Sequence, residues 1–404
     1  MPNIIFINVA LGFGSTGRIV EQTALLAEKH GYHCSVVHSA RYGRKSSILA
    51  YQTGTVVQEK IHAIESFLFD AHGYGSRNET KKIIEFIESE RPNIIHIHNL
   101  HGYYINYRIL FEYIIKKNIP VIWTMHDYWM LTGHCTYSDY IGCDKWKTQC
   151  CQCPLKSSYP KALIDRSKQN FRLKNNLFRA TKDITLVPVS YWIGDVAKES
   201  FLSNCKMKVI HNGIDLNVFR PSKSNIKEKL GIPVDKFIVL GVANHFGKRK
   251  GYSDFVKLND LIPEIQIIIV GASAKEIENA PIGIIAIGRT ESQQKLVDLY
   301  SCADVYVNPT YEDNFPTTNL EALACGTPVI TYQTGGSPEA IDDETGIIVE
   351  KGNVNQLVEA ILEIQKKGKL HYSEKCRQRA ELKFNKDERF MDYIKLYDEI
   401  INKQ

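Results

Sequence analysis

Between Asn308 and Val329 the chain reads NPTYEDNFPTTNLEALACGTPV, with two acidic residues, Glu312 and Asp313, nine and eight positions before Glu321. A strand ending at Pro309, an irregular EDNFPTT segment and a helical stretch from Leu320 to Cys325 stopped by Gly326 are predicted here. That order turns the backbone amides around Pro316 to Asn319 outward, and a helix start carries unpaired N–H groups and positive partial charge. Thr317 and Thr318 add hydroxyl and N–H donors. The Glu321 carboxylate can accept two hydrogen bonds from a vicinal diol, so phosphate plus ribose is the ligand these groups suit. The competing reading makes Glu321 an exposed helix residue and Asp313 an N-cap.

Two other loops have the same strand-to-helix character. Asn244 to Gly251 (NHFGKRKG) crowds Lys248, Arg249 and Lys250 onto a helix start, where the dipole disfavours cations unless an anion joins them. A diphosphate would resolve the conflict; a solvated charge run is the alternative. Gly12 to Arg18 (GFGSTGR) follows the first strand and opens a helix without forming a full dinucleotide fingerprint.

Five of ten cysteines lie between Cys135 and Cys153. Cys135, Cys143, Cys150 and Cys153 make the best tetrad for a structural zinc, with Cys151 and His134 as alternates and burial as small hydrophobes as the competing reading. His96, His98 and His101 (HIHNLH) fit acceptor or domain contact better than a metal.

The elements that must position these residues are strands alternating with helices, the pattern of parallel sheets wrapped by helices. One series runs through strands at Ile4 to Asn8, Cys34 to His38, Ile94 to His98, Val121 to Thr124 and Ile184 to Val189. A second comprises Phe237 to Val242, Gln266 to Val270, Ile284 to Ile287, Asp304 to Val307 and Val329 to Thr331. A polar connector, Arg220 to Asn225, separates them. The expected class is α/β: two doubly wound domains, residues 1–220 with a Cys-rich loop at 130–160 and residues 221–385. A terminal helix, 386–404, is expected to dock back on the first domain.

The chain has 404 residues, 44% hydrophobic and 24% charged, which fits a folded two-domain enzyme and excludes disorder. MPNIIFINVA lacks a basic flank and a cleavage site, and no apolar run approaches membrane-spanning length, so a cytoplasmic location is expected. Net charge is +5, yet Lys156 to Lys182 alone holds eight basic residues against Asp165. Lys168, Arg172 and Arg179 fall in one arc beside Ile164, Phe171 and Phe178 at helical spacing. That face is either solvated, with its stripe packed on its own domain, or rests on anionic lipid.

These residues together resemble family 4 of the retaining glycosyltransferases over nearly the whole chain. The resemblance rests on the Asp313 to Glu321 spacing followed by ALACGTPV, on HNGIDLNVF at His211 to Phe219, on Lys250-Gly251 and on Thr-x-His-Asp at Thr124 to Asp127. It implies two facing Rossmann-like domains with a cleft, the B-type glycosyltransferase fold, and a nucleotide-sugar donor, UDP- or GDP-linked. Glu321 would hold the ribose, and Asp313 or Glu312 would contact the transferred sugar. Lys250 and Arg249 would neutralise the diphosphate, while Asn314, Phe315, Pro316, Thr317 and Thr318 would contact sugar and phosphate through their amides. Gly14 would close over the donor, His126 would touch the sugar, and backbone near Gly288 and Arg289 would meet the base.

Two departures stand out: His245 replaces a frequent arginine, and Asn314-Phe315-Pro316 replaces Gly-Phe-Gly, a variant similar to the bacterial exopolysaccharide branch of colanic-acid type. The implied activity is retaining transfer of a hexosyl group without a catalytic metal. The acceptor would be a saccharide, carried on polyprenyl diphosphate, at the inner surface of the cytoplasmic membrane, for exopolysaccharide, capsule or lipopolysaccharide. No nucleic-acid partner is expected. Alternatives on the same fold are a glycosyl phosphorylase, a sugar-nucleotide epimerase or a non-catalytic nucleotide-sugar-binding protein.

Overall fold

The computed structural model describes residues 1–290 and 292–403; Gln404, the last position of the expected terminal helix, and Glu291 lie outside the described residues. Two compact units emerge, Met1–His211 with Phe390–Gln404, and Asn212–Arg389. Each is built on one parallel sheet.

In the first unit β1 (Asn3–Ile7), β2 (His33–Ser39), β3 (Leu49–Thr53), β4 (Ile94–Ile97), β5 (Val121–Met125), β6 (Ile184–Pro188) and β7 (Lys206–Met207) form a seven-stranded sheet in the order β3-β2-β1-β4-β5-β6-β7. Its central strands read as unbroken Ile and Val runs because helices cover both faces. In the second unit β8 (Ile238–Val242), β9 (Gln266–Val270), β10 (Ile284–Ile287), β11 (Val305–Asn308), β12 (Val329–Tyr332) and β13 (Gly346–Val349) are ordered β10-β9-β8-β11-β12-β13. In both sheets the chain order reverses beside the first strand, at β1/β4 and at β8/β11, so loops at the carboxyl ends there have room for a ligand.

The ten expected strands are present within about one residue at each end. Three strands were not foreseen: β3, β7 and β13. Each lies at a sheet edge. An edge strand is covered less completely, so LAYQT at β3 is largely exposed and carries no continuous apolar run.

The last helix, Lys386–Ile401, sends Phe390, Tyr393, Ile394, Tyr397 and Ile400 into the core of the first unit among Ile4, Phe6, Val20 and Val36. Tyr397 meets His96 there, its hydroxyl 2.8 Å from Nδ1, while His96 Nε2 lies 2.8 Å from the Thr124 hydroxyl. His96 is therefore a satisfied core residue. The HNGIDLNVF segment belongs largely to the second unit, where Ile214 bridges to Asn385 and Asp215 pairs with Lys386 at 2.6 Å.

The basic helix spans Ser167–Ala180, with Phe171 and Phe178 buried in its own unit. Ile164 lies before that helix and is exposed. The apolar stripe thus packs inward, as in the first of the two readings above. Lys174, counted there among the basic residues, is buried: its ammonium lies 3.3 Å from the Trp129 ring centre and donates to the carbonyls of Trp129 at 2.6 Å and Thr132 at 3.0 Å. Among the described residues no helix is long and apolar enough to cross a membrane.

Candidate active site

β8 ends at Val242, and a single 3-10 turn, Lys248–Lys250, precedes the helix Tyr252–Leu261. Gly251 joins them at φ +71°, and a Cβ there would lie 2.2 Å from the Pro309 carbonyl oxygen. Only glycine allows the β8 turn to press this closely against the end of β11. That approach lets Lys250 reach sideways. Its Nζ donates to Asp313 Oδ2 at 2.5 Å, to the Thr310 hydroxyl at 3.3 Å and to the Glu312 carbonyl at 3.5 Å. Arg249 stands beside it, Nη1 3.5 Å from the buried Glu312 carboxylate, and the Arg249 carbonyl accepts the Tyr311 N–H at 2.9 Å. Two cation–carboxylate pairs therefore stand side by side where β8 and β11 end. Lys248 and His245 point to solvent.

The loop after β11 is held from behind. Gly336 N–H donates to the Asp313 carbonyl at 3.3 Å, and Gly335 approaches so closely, at φ +55°, that a Cβ would lie 1.8 Å from that oxygen. Asn314 and Phe315 are buried, the Phe315 ring 5.8 Å from that of Phe384. Both side chains are therefore packed within the unit. The following helix is Thr317–Ala324, so it starts three residues before the expected Leu320, with Pro316 and not Asp313 at its N-cap. Thr317 and Thr318 occupy its first turn, where amides lack an acceptor within the helix. Buried Asn319 ties this start to β11, accepting from Asn308 Nδ2 at 2.8 Å and donating to the Ser337 carbonyl at 3.2 Å.

One turn further on, Glu321 Oε2 accepts a hydrogen bond from the Tyr300 hydroxyl at 2.9 Å. Burial, and then the neighbouring carboxylate, push the Tyr300 phenol well above its ordinary pKa, so it stays a donor and fixes the Glu321 rotamer. Gly288 and Arg289 follow β10 at the same edge of this parallel sheet, and Arg289 is exposed. The second unit thus brings Lys250, Arg249, Glu312, Asp313, the Asn314–Thr318 backbone and Glu321 to the carboxyl ends of β8 and β11.

In the first unit Gly14 begins the helix Gly14–Lys29 after β1, its carbonyl accepting from Arg18 Nε at 3.1 Å. His126 follows β5 and lies 2.9 Å, Nε2 to Nδ1, from His98, with the rings stacked. Burial lowers the His126 pKa to about 4, so the ring is neutral near pH 7. His101 Nε2 sits 2.7 Å from Asp127 Oδ2, and the Trp129 N–H donates to Asp127 Oδ1 at 2.9 Å. Burial opposes charge on Asp127, but His101 and the Trp129 amide outweigh it and keep the carboxyl below its usual range. Tyr300, Thr310 and the Gly335-Gly336 turn were not singled out from the sequence; nothing in their local pattern marks a residue that supports another across the fold.

The zinc expected at the cysteine tetrad finds no support. Among the described residues no three His, Cys, Asp or Glu side chains are arranged to hold a metal ion, and the proposed zinc ligands Cys135, Cys143, Cys150 and Cys153 are no exception. Cys150 accepts the Gly133 N–H at 3.3 Å, and burial pushes its thiol up to about 12. Cys135 is hydrogen-bonded to Cys153, an interaction that raises its own thiol and lowers that of Cys153. Cys150 and Cys143 also lie near enough to Cys135 to oppose charge on its sulfur.

Comparisons place this geometry among known proteins. Residues 16–218 match the family described as Glycosyltransferase Family 4, and residues 222–383 match Glycosyl transferases group 1. The chain is 26% identical over 372 residues to the putative colanic acid biosynthesis glycosyl transferase WcaC of Escherichia coli (strain K12), covering 88% of this chain and 89% of that protein. Its fold is similar to sucrose-phosphate synthase from Thermosynechococcus elongatus, with TM-score 0.76, 19% identity and full coverage of both chains. It is also similar to Anabaena HepE in complex with UDP-glucose, with TM-score 0.65, 15% identity, and coverage of 98% of this chain and 99% of that one. The architecture is thus that of the two-Rossmann-domain glycosyltransferases. With a family match spanning half its length and a second over most of the remainder, the chain is a glycosyltransferase belonging to family 4.

Proposed function

We propose that this glycosyltransferase moves a hexosyl group, with retention of anomeric configuration, from a nucleoside diphosphate sugar to a saccharide acceptor. The acceptor is carried on polyprenyl diphosphate, and the product enters an exopolysaccharide, capsule or lipopolysaccharide. The observation that carries the donor half is the Lys250–Asp313 pair at 2.5 Å, beside Arg249 and the amides of Thr317 and Thr318. Breaking a sugar–phosphate bond builds negative charge on the leaving diphosphate, and cations and amides already aimed there lower the barrier. Lys250 would exchange Asp313 for the diphosphate, freeing that carboxylate to orient the transferred sugar together with Glu312. Glu321, steadied by Tyr300, takes the ribose diol.

With this much positive charge supplied by side chains and a helix start, the reaction calls for no catalytic metal. The acceptor attacks from the face the diphosphate leaves, and the diphosphate accepts its proton. Gly14, Gly288, Arg289 and His126 take the roles the family resemblance implies: closing over the donor, meeting the base and touching the sugar. The polysaccharide context is supported by likeness to WcaC, named for colanic acid biosynthesis. The nucleotide-sugar donor is supported by the fold shared with HepE, solved with UDP-glucose. A cytoplasmic place at the membrane's inner face follows from the donor and the carrier. The test is a panel of UDP- and GDP-sugars: at least one should raise the melting temperature and be slowly hydrolysed, and silence from all of them would refute the donor assignment.

A further inference from the structure

The helix Val56–Phe69 is turned inside out. Its buried residues are Glu59, His62 and Ser66, all polar. Its outward side carries Val57 (65% exposed), Ile61 (52%), Ile64 (58%) and Leu68 (39%), which fall within an arc of about 60° at 100° per residue. A helix at a water-facing surface normally has the reverse arrangement.

Specific hydrogen bonds hold it in this orientation. Glu59 Oε1 accepts the Ala40 N–H at 2.6 Å, with Arg41 3.7 Å from Oε2. His62 Nε2 accepts N–H groups from Gly73 and Gly75 at 3.2 Å each, and its Nδ1 lies 2.9 Å from the Ser76 hydroxyl. Thr55 and Gln58 close a capping box at its start. Rotating the helix to bury the apolar arc would break the Glu59 and His62 bonds, so the outward face is a built feature.

What adjoins this face says what covers it. At the C-terminal end of the helix the Leu163 N–H donates to the Phe67 carbonyl at 2.7 Å. Asp70, the C-cap, fastens the same segment: its Oδ2 accepts the Arg166 N–H at 2.7 Å and its carbonyl accepts from Asn170 Nδ2 at 2.8 Å. Exposed Leu163 and Ile164 thereby adjoin the apolar surface near Phe69, in a segment that also carries exposed Lys161, Arg166, Lys168 and Arg172. Lys60 flanks the helix on one side and Glu65 on the other. The acid within the basic segment, Asp165, is occupied by the N–H groups of Cys153 and Ser167. An apolar strip adjoining a cation-rich segment matches the boundary between acyl chains and anionic headgroups.

We propose that the Val56–Phe69 face, with Leu163, Ile164 and the basic segment beyond them, is a docking surface for an anionic lipid bilayer. This deepens the reading of a lipid-carried acceptor and rests on it for its purpose, while the surface itself stands on exposure and charge. It replaces the inward-packed stripe of the Ser167–Ala180 helix as the lipid contact.

The test is flotation with vesicles of phosphatidylglycerol and phosphatidylethanolamine against vesicles of phosphatidylcholine alone. Wild type should float with the anionic vesicles, and the double variant Ile61→Glu with Ile64→Glu should lose at least tenfold in partitioning at an unchanged melting temperature. The pair Lys161→Glu with Lys168→Glu should lower binding to the anionic vesicles only. The proposal is overturned if wild type stays unbound, if the isoleucine variant floats as well as wild type, or if light scattering shows a wild-type dimer that this variant dissociates, which would make a second copy the occupant. UDP-sugar thermal shifts run on the same proteins separate the two readings: their absence would remove the donor assignment, whereas lost flotation with intact shifts tests the lipid surface alone.

Discussion

Lys250 and Asp313 form an ion pair of 2.5 Å between the turn after β8 and the loop after β11, each about one-fifth exposed. The cation proposed to receive a diphosphate is thus already neutralised and positioned. Lys250→Ala should lower kcat/KM at least tenfold, about 1.4 kcal/mol of transition-state stabilisation, with little loss of stability because a partly exposed pair contributes about 1 kcal/mol or less. Steady-state kinetics with the donor found in the panel, beside urea unfolding, make the comparison; wild-type turnover would sink the assignment.

Glu321 receives its hydrogen bond from buried Tyr300. Glu321→Ala should cost at least tenfold in kcat/KM, and Tyr300→Phe should chiefly raise the donor KM by about threefold to tenfold, since it loosens the carboxylate without removing it. An unchanged KM in Tyr300→Phe would show that the tyrosine does not position the acid.

Gly251 has a Pro309 carbonyl oxygen where a Cβ would go. Gly251→Ala should therefore destabilise the second unit by more than about 1 kcal/mol, because backbone must move and a positive φ must be held by an L-residue. Calorimetry should show that transition shifted downward.

Lys174 places its ammonium over Trp129 and under two carbonyls. Lys174→Met leaves both oxygens without their donor, at about 2 kcal/mol. Denaturant unfolding measures this, and a neutral result would mean that water replaces the ammonium.

Acid should loosen the first unit well above the carboxylate range. Burial lowers the pKa of His62 to about 4 and of His96 to about 3, while an unfolded histidine titrates near 6.5. The unfolded chain takes up the proton first, so stability is full above about pH 6.5 and is lost as pH falls toward the folded values. The melting temperature should drop by about several degrees between pH 7 and pH 5, less so in His96→Gln; a flat profile would contradict the burial of neutral rings.

Several of these residues could be read directly. Lys250, Glu321 and the pair Glu312-Asp313 stand out as candidates because loop chemistry is local: acids, cations and helix starts at fixed offsets. Strands in sheet centres were equally plain, since burial on both faces demands unbroken apolar runs. The helix Val56–Phe69 was not, because its pattern says only that one side is apolar, and which side faces inward depends on Ala40, Gly73, Gly75 and Ser76. Lys174 reads as one more positive charge until Trp129, far from it in the chain, is seen beneath it.

What the sequence by itself determined is therefore the α/β class, the order of central strands and the loops where acids, cations and helix starts gather, all set by periodicity and by groups within a few residues of one another. The tertiary structure alone decided which acid meets Lys250, which hydroxyl steadies Glu321, that Cys135 meets Cys153, and that an apolar helix face points outward. Those outcomes depend on distances between residues remote in the chain, and such distances are set by the packing of whole elements, not by local spacing.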